Sequence, residues 1–341
     1  MSNLFGLDFG SSTYKMVKLE EGGAKIRLAS LGVVPAPTPG IDSESPEDLK
    51  RVVEAVKKGR ADAKISTIQV ALALPESKIY TRVIEMPSLT DEELTAAMQW
   101  EAEQYIPVPL TEVNLDWQIL SRPGKGFEEK KMEVLLVAAP KELVKRYLKV
   151  AEAAGLEVVS VETEIIAISR AIVDDAEEIK MVLNLGGRST DIALIRRGQV
   201  VFTRNIGTGG IAITRSVASS LSLDVAQAEE YKKAYGLLEN QLEGKVRESI
   251  MPIFNVIVAE VKKAADYYLA RNKEDNLKTV VVNGGSALLP GAISYLAQNL
   301  DMEVLIANPF SRMALDERTE KLLSSSAPLY SVAVGLALKE A

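Results

Sequence analysis

The sequence contains neither cysteine nor histidine. Without cysteine the chain can form no disulfide, offer no thiolate nucleophile and bind no structural zinc through thiolates. Without histidine it has no imidazole general base. Any phosphoryl chemistry would therefore depend on carboxylates, hydroxyls, lysine and a hard cation such as Mg²⁺.

Long apolar runs and excess positive charge are also missing. No run approaches the ~20 residues of a membrane-spanning helix, and no basic region precedes an apolar stretch at the N-terminus. The formal net charge is −7, which argues against nucleic-acid binding because that needs a basic face. These features predict a soluble cytoplasmic protein. The length of 341 residues, with 47% hydrophobic and 26% charged residues, predicts about two globular domains.

Two glycine-bearing segments, one in each half of the chain, have the same plan. In 4–17 and in 181–194, an apolar run precedes and follows a turn of glycine, serine and threonine. Each predicts a β-hairpin. Glycine lets the backbone approach a ligand closely, and successive N–H groups with hydroxyls form a concave anion site. One such segment is more often an ordinary turn, but the pair predicts phosphates clamped between two related domains.

A third segment, 279–291, predicts a buried strand that enters a Gly-Gly-Ser turn and then a helix. Its backbone could lie flat against a base or sugar. In this order and spacing, the three segments resemble the phosphate-1, phosphate-2 and adenosine motifs of the actin-like ATPase superfamily. Residues 86–94, 100–109, 164–171 and 333–338 further resemble the PilM family of type IV pilus assembly proteins, which is related to FtsA.

The resemblance covers essentially the whole chain and implies an α/β, actin-like (ribonuclease H-like) two-domain fold with an inserted α/β subdomain. With the element pattern, it places the first domain at 1–86, 157–180 and 331–341, and the inserted subdomain at 87–156. The second domain is expected at 181–330, with an outer helical subdomain at 207–278. Thr90 and Glu93 form the sequence pattern of a capping box, which predicts a helix start. A glycine-containing turn is expected around 123–127.

The resemblance also implies ATP or ADP with Mg²⁺ between the two hairpins. The phosphates would face Gly10, Ser11, Ser12, Thr13 and Lys15 from one side and Gly186, Gly187, Ser189 and Thr190 from the other. Asp8 would hold Mg²⁺ through water, with Asp191 assisting, and Gly209 and Gly210 would bring backbone N–H groups to the ligand. Glu229 and Lys232 would grip the ribose and base, although a solvated i,i+3 ion pair explains them equally well. Gly284, Gly285, Ser286 and Leu288 would form the adenosine pocket.

The second hairpin departs from the family pattern. Asn184 stands where many relatives have an aspartate, and an amide can neither act as a carboxylate base nor offer charge to Mg²⁺. Arg188 stands where relatives usually have a small residue. Glu164, or as a second choice Glu162, is available to position water. We therefore expect nucleotide binding with slow or absent hydrolysis.

The resemblance implies a scaffold at the inner face of the membrane, attached only through partners, that captures the cytoplasmic N-terminal tail of the membrane protein PilN. The expected surface lies around the helix at 94–106 and the strand at 113–120. Trp100 and Tyr105 would be pocket walls there or ordinary core residues. Self-association stays open.

Two other functions are open. An FtsA-like filament-forming membrane tether usually ends in an amphipathic helix, and this chain stops at Lys339-Glu340-Ala341 without one. A small-molecule kinase of the sugar-kinase branch would need an aspartate base over an acceptor pocket, and no residue is a convincing candidate.

Overall fold

The computed structural model describes residues 3–23, 25–122, 131–173 and 178–339. The turn expected around 123–127 and the last two residues of the chain lie outside these ranges. The strands are β1 (Phe5–Phe9), β2 (Thr13–Gly22), β3 (Lys25–Pro35), β4 (Gln69–Leu74), β5 (Tyr80–Pro87), β6 (Val113–Ser121), β7 (Lys131–Pro140), β8 (Glu157–Thr163), β9 (Lys180–Leu185), β10 (Thr190–Arg196), β11 (Gln199–Ile206), β12 (Thr279–Asn283), β13 (Glu303–Ile306) and β14 (Met313–Ala314).

The α-helices lie between and after these strands. They are α1 (Pro46–Asp62), α2 (Asp91–Glu103), α3 (Lys141–Ala153), α4 (Glu164–Ile172), α5 (Gly210–Leu221), α6 (Val225–Tyr235), α7 (Lys245–Leu269), α8 (Ala292–Asn299), α9 (Glu317–Leu323) and α10 (Ser331–Ala337). Short 3₁₀ helices cover Glu76–Lys78, Leu110–Glu112, Leu242–Gly244, Gly285–Leu288 and Ala327–Tyr330.

Two sheets repeat the same topology. The first has the order β14-β3-β2-β1-β4-β8 and the second β11-β10-β9-β12-β13. In each, a hairpin (β1/β2 or β9/β10) is antiparallel, and its first strand pairs in parallel with the next strand of the sheet (β4 or β12). The two hairpins expected from the sequence are confirmed, and they occupy equivalent positions in the two sheets.

The helices cover the faces of these sheets. Buried side chains of α1 and α3 pack on the first sheet, and those of α5 to α8 pack on the second. Helices α4 and α10 lie between the sheets, where Arg170 donates to Gly335 O at 2.6 Å. The tips of both hairpins face the space between the two halves.

A third sheet, with the order β5-β7-β6, is covered on one face by α2. The capping box at the start of α2 is confirmed, because Glu93 N donates to Thr90 Oγ1 and Thr90 N to the Glu93 carboxylate. Leu94 and Met98 are buried, whereas Tyr105 follows the end of the helix.

The sheets divide the chain at other places than the expected boundaries. The third sheet begins at Tyr80, seven residues before position 87, because β5 pairs with β7. Helix α3, expected inside the subdomain, packs in the first core through Leu143 and Tyr147. Strand β14, expected in the second domain, pairs with β3 of the first sheet. Each of these segments belongs with the sheet in which it pairs or against which its apolar side chains pack.

Within the described ranges, no helix combines the length and the apolar character needed to cross a bilayer.

Candidate functional site

A cavity of about 600 Å³ lies between the two hairpins. It brings together most of the residues expected to bind nucleotide, which are Asp8, Gly10, Ser11, Ser12, Thr13, Lys15, Glu164, Asn184, Gly186, Gly187, Ser189, Asp191, Gly210, Glu229, Lys232, Gly284, Gly285, Ser286 and Leu288. Thr190 and Gly209 are not in its lining. Thr190 is fully buried, and its hydroxyl donates to Thr208 O at 2.8 Å.

The first hairpin contributes a buried ion pair. Lys15 Nζ lies 3.1 Å from Asp8 Oδ2, and both side chains are less than a tenth exposed. The two residues face each other in the β1/β2 register, so the hairpin itself fixes the pair. The turn beyond them places the side chains of Ser11, Ser12 and Thr13 at the cavity.

The second hairpin touches the first. A Cβ atom on Gly187 would lie 2.1 Å from Ser11 Oγ, so a larger residue there would force the Ser11 side chain to move. The N–H groups of Gly210 and Ile211 donate to Gly186 O and Gly187 O, at 2.9 and 2.8 Å. These amides at the start of α5 therefore hold the second turn in place instead of pointing freely at a ligand.

Asp191 ends a chain of buried side-chain hydrogen bonds. Ser331 Oγ donates to Asn283 Oδ1 (2.6 Å), Asn283 Nδ2 donates to Asn184 Oδ1 (2.9 Å), and Asn184 Nδ2 donates to Asp191 Oδ2 (3.2 Å). Asn205 donates to the other carboxylate oxygen at 2.5 Å. Burial raises the pKa of Asp191 to about 6, although the two amides act against it. Asn184 thus links β9, β10 and β12.

Two glutamates, Glu76 and Glu164, lie close enough to Asp191 for its charge to act on them. Glu76 is buried and accepts hydrogen bonds from Ile165 N (3.3 Å) and Thr81 Oγ1 (3.1 Å). Burial, and then the charge of Asp191, raises the pKa of Glu76 to about 7. Burial is also the main cause that raises the pKa of Glu164 well above its usual range, and neighbouring carboxylates add to it.

Glu162, the second choice for positioning water, has another role. Arg170 binds both of its carboxylate oxygens, at 2.7 and 2.8 Å, and Lys339 lies 3.4 Å away. Glu162 is not part of the cavity lining. Its bidentate ion pair instead joins β8 to α4.

Glu229 and Lys232 form the i,i+3 ion pair that the sequence left open, at 2.6 Å, and they also line the cavity. Lys232 Nζ further donates to Thr214 Oγ1 (2.9 Å) and Gly210 O (3.2 Å), which occupies its three protons. Glu229 also accepts from Thr214 and pairs with Lys233 at 3.3 Å. Lys232 therefore positions Glu229 and the start of α5.

On the side expected to hold adenosine, the two glycines differ. Gly284 has a φ of +87°, and a Cβ atom there would lie 2.5 Å from Leu185 O. A Cβ atom on Gly285 would meet only Leu329, at 3.5 Å. The backbone conformation requires glycine at 284, whereas position 285 has room for a side chain.

The sequence missed Asp42 and Lys78 of the cavity lining, and it missed the buried Glu76, which lies outside that lining. Asp42 lies in the loop after β3, where it accepts from Lys78 Nζ at 2.7 Å and pairs with Arg188. In the sequence, Arg188 indicated an ion pair at this place, because an arginine in a turn of small residues predicts an acidic partner. Nothing in the sequence indicated which acid that is.

The cavity residues fit a magnesium-bound nucleotide. Hydroxyls and glycines of both turns suit phosphates, and a volume near 600 Å³ is in the usual range of ligand pockets. Asp8 and Asp191 are the carboxylates that would hold Mg²⁺. The described residues contain no group of three or more acidic side chains able to bind a metal by themselves, and Mg²⁺ commonly completes its shell with water and phosphate oxygens.

The surface expected to bind a peptide lies on the third sheet and α2. Trp100 is 74% exposed, so it is not a core residue. Tyr105 is half-buried beneath the Arg82 guanidinium, which lies 5.1 Å from the ring centroid.

Comparison with known proteins agrees with this geometry. A family model described as type IV pilus assembly protein PilM matches residues 6–341. A solved PilM-PilN type IV pilus biogenesis complex is similar, with a TM-score of 0.86 and 27% identity over 99% of this chain and 98% of that chain.

More distant similarity extends to two other bacterial proteins. The cell division protein FtsA of Streptococcus pneumoniae is 24% identical over 86% of this chain and 73% of its own length. The structure of MreB5 of Spiroplasma citri bound to ADP matches with a TM-score of 0.54 and 16% identity, over 97% of this chain and 94% of that one. This last likeness concerns the fold alone. Together the matches confirm the actin-like α/β fold class.

Proposed function

The chain belongs to the PilM family of type IV pilus assembly proteins, and on that premise we propose that it is a nucleotide-binding scaffold of a pilus or related secretion machine. It binds ATP or ADP with Mg²⁺ in the cavity between its hairpins. It holds the N-terminal tail of a PilN-like inner-membrane protein on its surface. Hydrolysis is slow or absent.

The observation that carries nucleotide binding is the meeting of the two hairpin tips at one cavity. Ser11 and Gly187 come into direct contact there, and the Asp8 and Asp191 carboxylates lie behind them. Phosphates bound at this place would contact both halves of the molecule at once. The bound nucleotide would thereby hold the two halves in a fixed relative position.

One feature supports slow hydrolysis. Asn184 accepts from Asn283 and donates to Asp191, so both ends of its amide are engaged in hydrogen bonds between strands. An amide cannot take a proton from water as a carboxylate can, so this position offers no general base in the nucleotide-free protein.

The PilM-PilN complex supports the choice of partner, since that PilM shares 27% identity with this chain along nearly its whole length. The third sheet also touches the second half of the molecule. Arg196 lies 3.3 Å from Glu133, and Thr203 Oγ1 donates to Thr81 O at 3.3 Å. These contacts provide a route by which nucleotide and peptide could affect each other's binding.

The test is a titration of a labelled peptide, the cytoplasmic N-terminal segment of the PilN-like partner, with and without ATP and Mg²⁺. We expect 1:1 binding whose free energy changes by about 1–3 kcal/mol when nucleotide is present. A folded protein that binds no peptide under either condition contradicts the pilus function. ATP-dependent sedimentation of polymers would then favour the FtsA-like alternative, which draws on the similarity to FtsA.

A further inference from the structure

The negative charge of the chain is concentrated in one segment. No lysine or arginine occurs between Arg82 and Arg122, while the same stretch contains eight acidic residues: Glu85, Asp91, Glu92, Glu93, Glu101, Glu103, Glu112 and Asp116. The formal net charge of the whole chain is −7. The rest of the chain is therefore close to neutral, and the excess negative charge lies on α2 and the third sheet.

Part of this charge is balanced locally. Asp91 pairs with Arg122, and Glu85 lies 3.2 Å from Lys131. The other six acids, Glu92, Glu93, Glu101, Glu103, Glu112 and Asp116, have no Lys or Arg within 4 Å in the part of the chain that the structure describes. Most of the local negative charge is therefore without an ion-pair partner.

Trp100 lies in the middle of this acidic surface. Leu94, Met98 and Ala102 turn the opposite face of α2 towards the sheet, so Trp100 is 74% exposed. On the helix it neighbours Ala96 at i−4 and Glu103 at i+3. Exposed tryptophans flanked by polar groups are typical anchors of protein interfaces.

We propose that the outward face of α2, formed by Glu92, Ala96, Gln99, Trp100 and Glu103 (the α2 face), binds a basic segment of the membrane partner's cytoplasmic tail. This inference rests on the proposed function and adds the charge of the bound segment. Cytoplasmic residues next to a membrane-spanning helix carry an excess of Lys and Arg. Carboxylates on the α2 face attract that segment, and the indole covers the apolar stems and cationic heads of its side chains.

The test compares two synthetic peptides, the partner's tail and the same tail with each Lys and Arg replaced by Gln. The protein variant Glu92→Gln/Glu103→Gln removes charge from the α2 face. The matched control, Glu152→Gln/Glu274→Gln, removes the same charge from two exposed positions elsewhere. At 50 mM salt we expect the α2-face variant to bind the basic tail about 2–10-fold more weakly, with the control unchanged. The difference should largely vanish at 500 mM salt.

Trp100 gives an independent readout. Trp100 and Trp117 are the two tryptophans of the sequence, so Trp117→Phe leaves Trp100 as the fluorophore. Binding of the basic tail should shift its emission to shorter wavelength. Trp100→Ala should weaken binding by about tenfold, as removal of an interface anchor typically does.

The outcomes separate this inference from the proposed function. If both peptides bind equally and the α2-face variant behaves as wild type, the inference is wrong although the scaffold function stands. If neither peptide binds a folded protein, the proposed function fails and the inference with it. If the protein alone binds vesicles of anionic lipid and Trp100→Ala abolishes this, the α2 face is a membrane contact and the inference is overturned.

Discussion

Arg188 and Asp42 form an ion pair that joins the two walls of the cavity. Arg188 lies in the turn of the second hairpin, and Asp42 lies in the loop between β3 and α1. Lys78 donates to the same carboxylate at 2.7 Å, and Arg146 donates to Asp42 O at 3.0 Å, so the acid is fixed to the first half. A nucleotide between the hairpins would be enclosed by this bridge.

Breaking the bridge should speed nucleotide release. Asp42→Asn keeps Arg188 and Lys78 but removes the charge that joins them, so we expect release of a fluorescent ATP analogue to become about 2–5-fold faster, as for a half-exposed ion pair. Stopped-flow dilution measures the rate. Arg27→Ala, which breaks an exposed ion pair with Glu20, is the control. Slower release from Asp42→Asn would mean that the freed cations bind phosphate and that the bridge does not retain the nucleotide.

Asn184→Asp should destabilise the nucleotide-free protein. The substitution replaces the amide that donates to Asp191 with a second carboxylate at hydrogen-bond distance. We expect a loss of about 1–3 kcal/mol in the free energy of unfolding at pH 8. The loss should be smaller at pH 5, where one of the two acids holds a proton. Urea unfolding of this variant and of Asn240→Asp, an exposed control, measures both values; equal losses at the two pH values would contradict the account.

Glu76→Gln should stabilise the protein at high pH. Folding raises the pKa of Glu76 from 4.5 to about 7. The folded state therefore binds more protons than the unfolded chain between these values, and stability falls as pH rises through this range. Glutamine keeps an acceptor for Ile165 N without the charge. We expect the variant to exceed wild type by about 1–3 kcal/mol at pH 8 and to lose that advantage near pH 4.5.

The matched control for this prediction is Glu142→Gln, which removes an exposed carboxylate of α3. It should leave the pH profile of unfolding unchanged. A Glu76→Gln effect of the same size at pH 5 and pH 8 would show that the charge of Glu76 is not the cause.

The two glycines after β12 should differ in their tolerance of alanine. Gly284→Ala forces a Cβ atom against Leu185 O at a φ of +87°, so we expect a loss of about 1–3 kcal/mol in unfolding free energy. Gly285→Ala should leave stability within about 0.5 kcal/mol of wild type. Thermal or urea unfolding of both variants provides the measurement. Equal destabilisation would show that the positive φ is not the constraint.

The sequence predicted the local elements better than their assembly. The two hairpins and the capping box of α2 follow from turn glycines, apolar alternation and the Thr90–Glu93 spacing, which act over a few residues. The placement of α3 and β14 on the first sheet depends on contacts between segments far apart in the chain, and the sequence pattern carries little information about such pairing.

The same distinction holds for the candidate site. Glycines and hydroxyls of the turns could be found from motifs, because each motif is local. Asp42 and Glu76 could not, since each acquires its partners only when separate loops meet. Asn184 was visible as a departure from the family pattern, but its bond to Asn283, 99 residues away, required the structure.

The central claim, that the cavity between the hairpins binds nucleotide, is tested most directly by calorimetric titration of ATP with Mg²⁺ into wild type and Asp8→Asn. We predict 1:1 binding by wild type. Asp8→Asn, which removes the carboxylate paired with Lys15, should bind at least about tenfold more weakly, the loss of about 1.4 kcal/mol expected when a charged metal-holding group is removed. The absence of binding by folded wild-type protein, or equal affinity in the variant, would contradict the account.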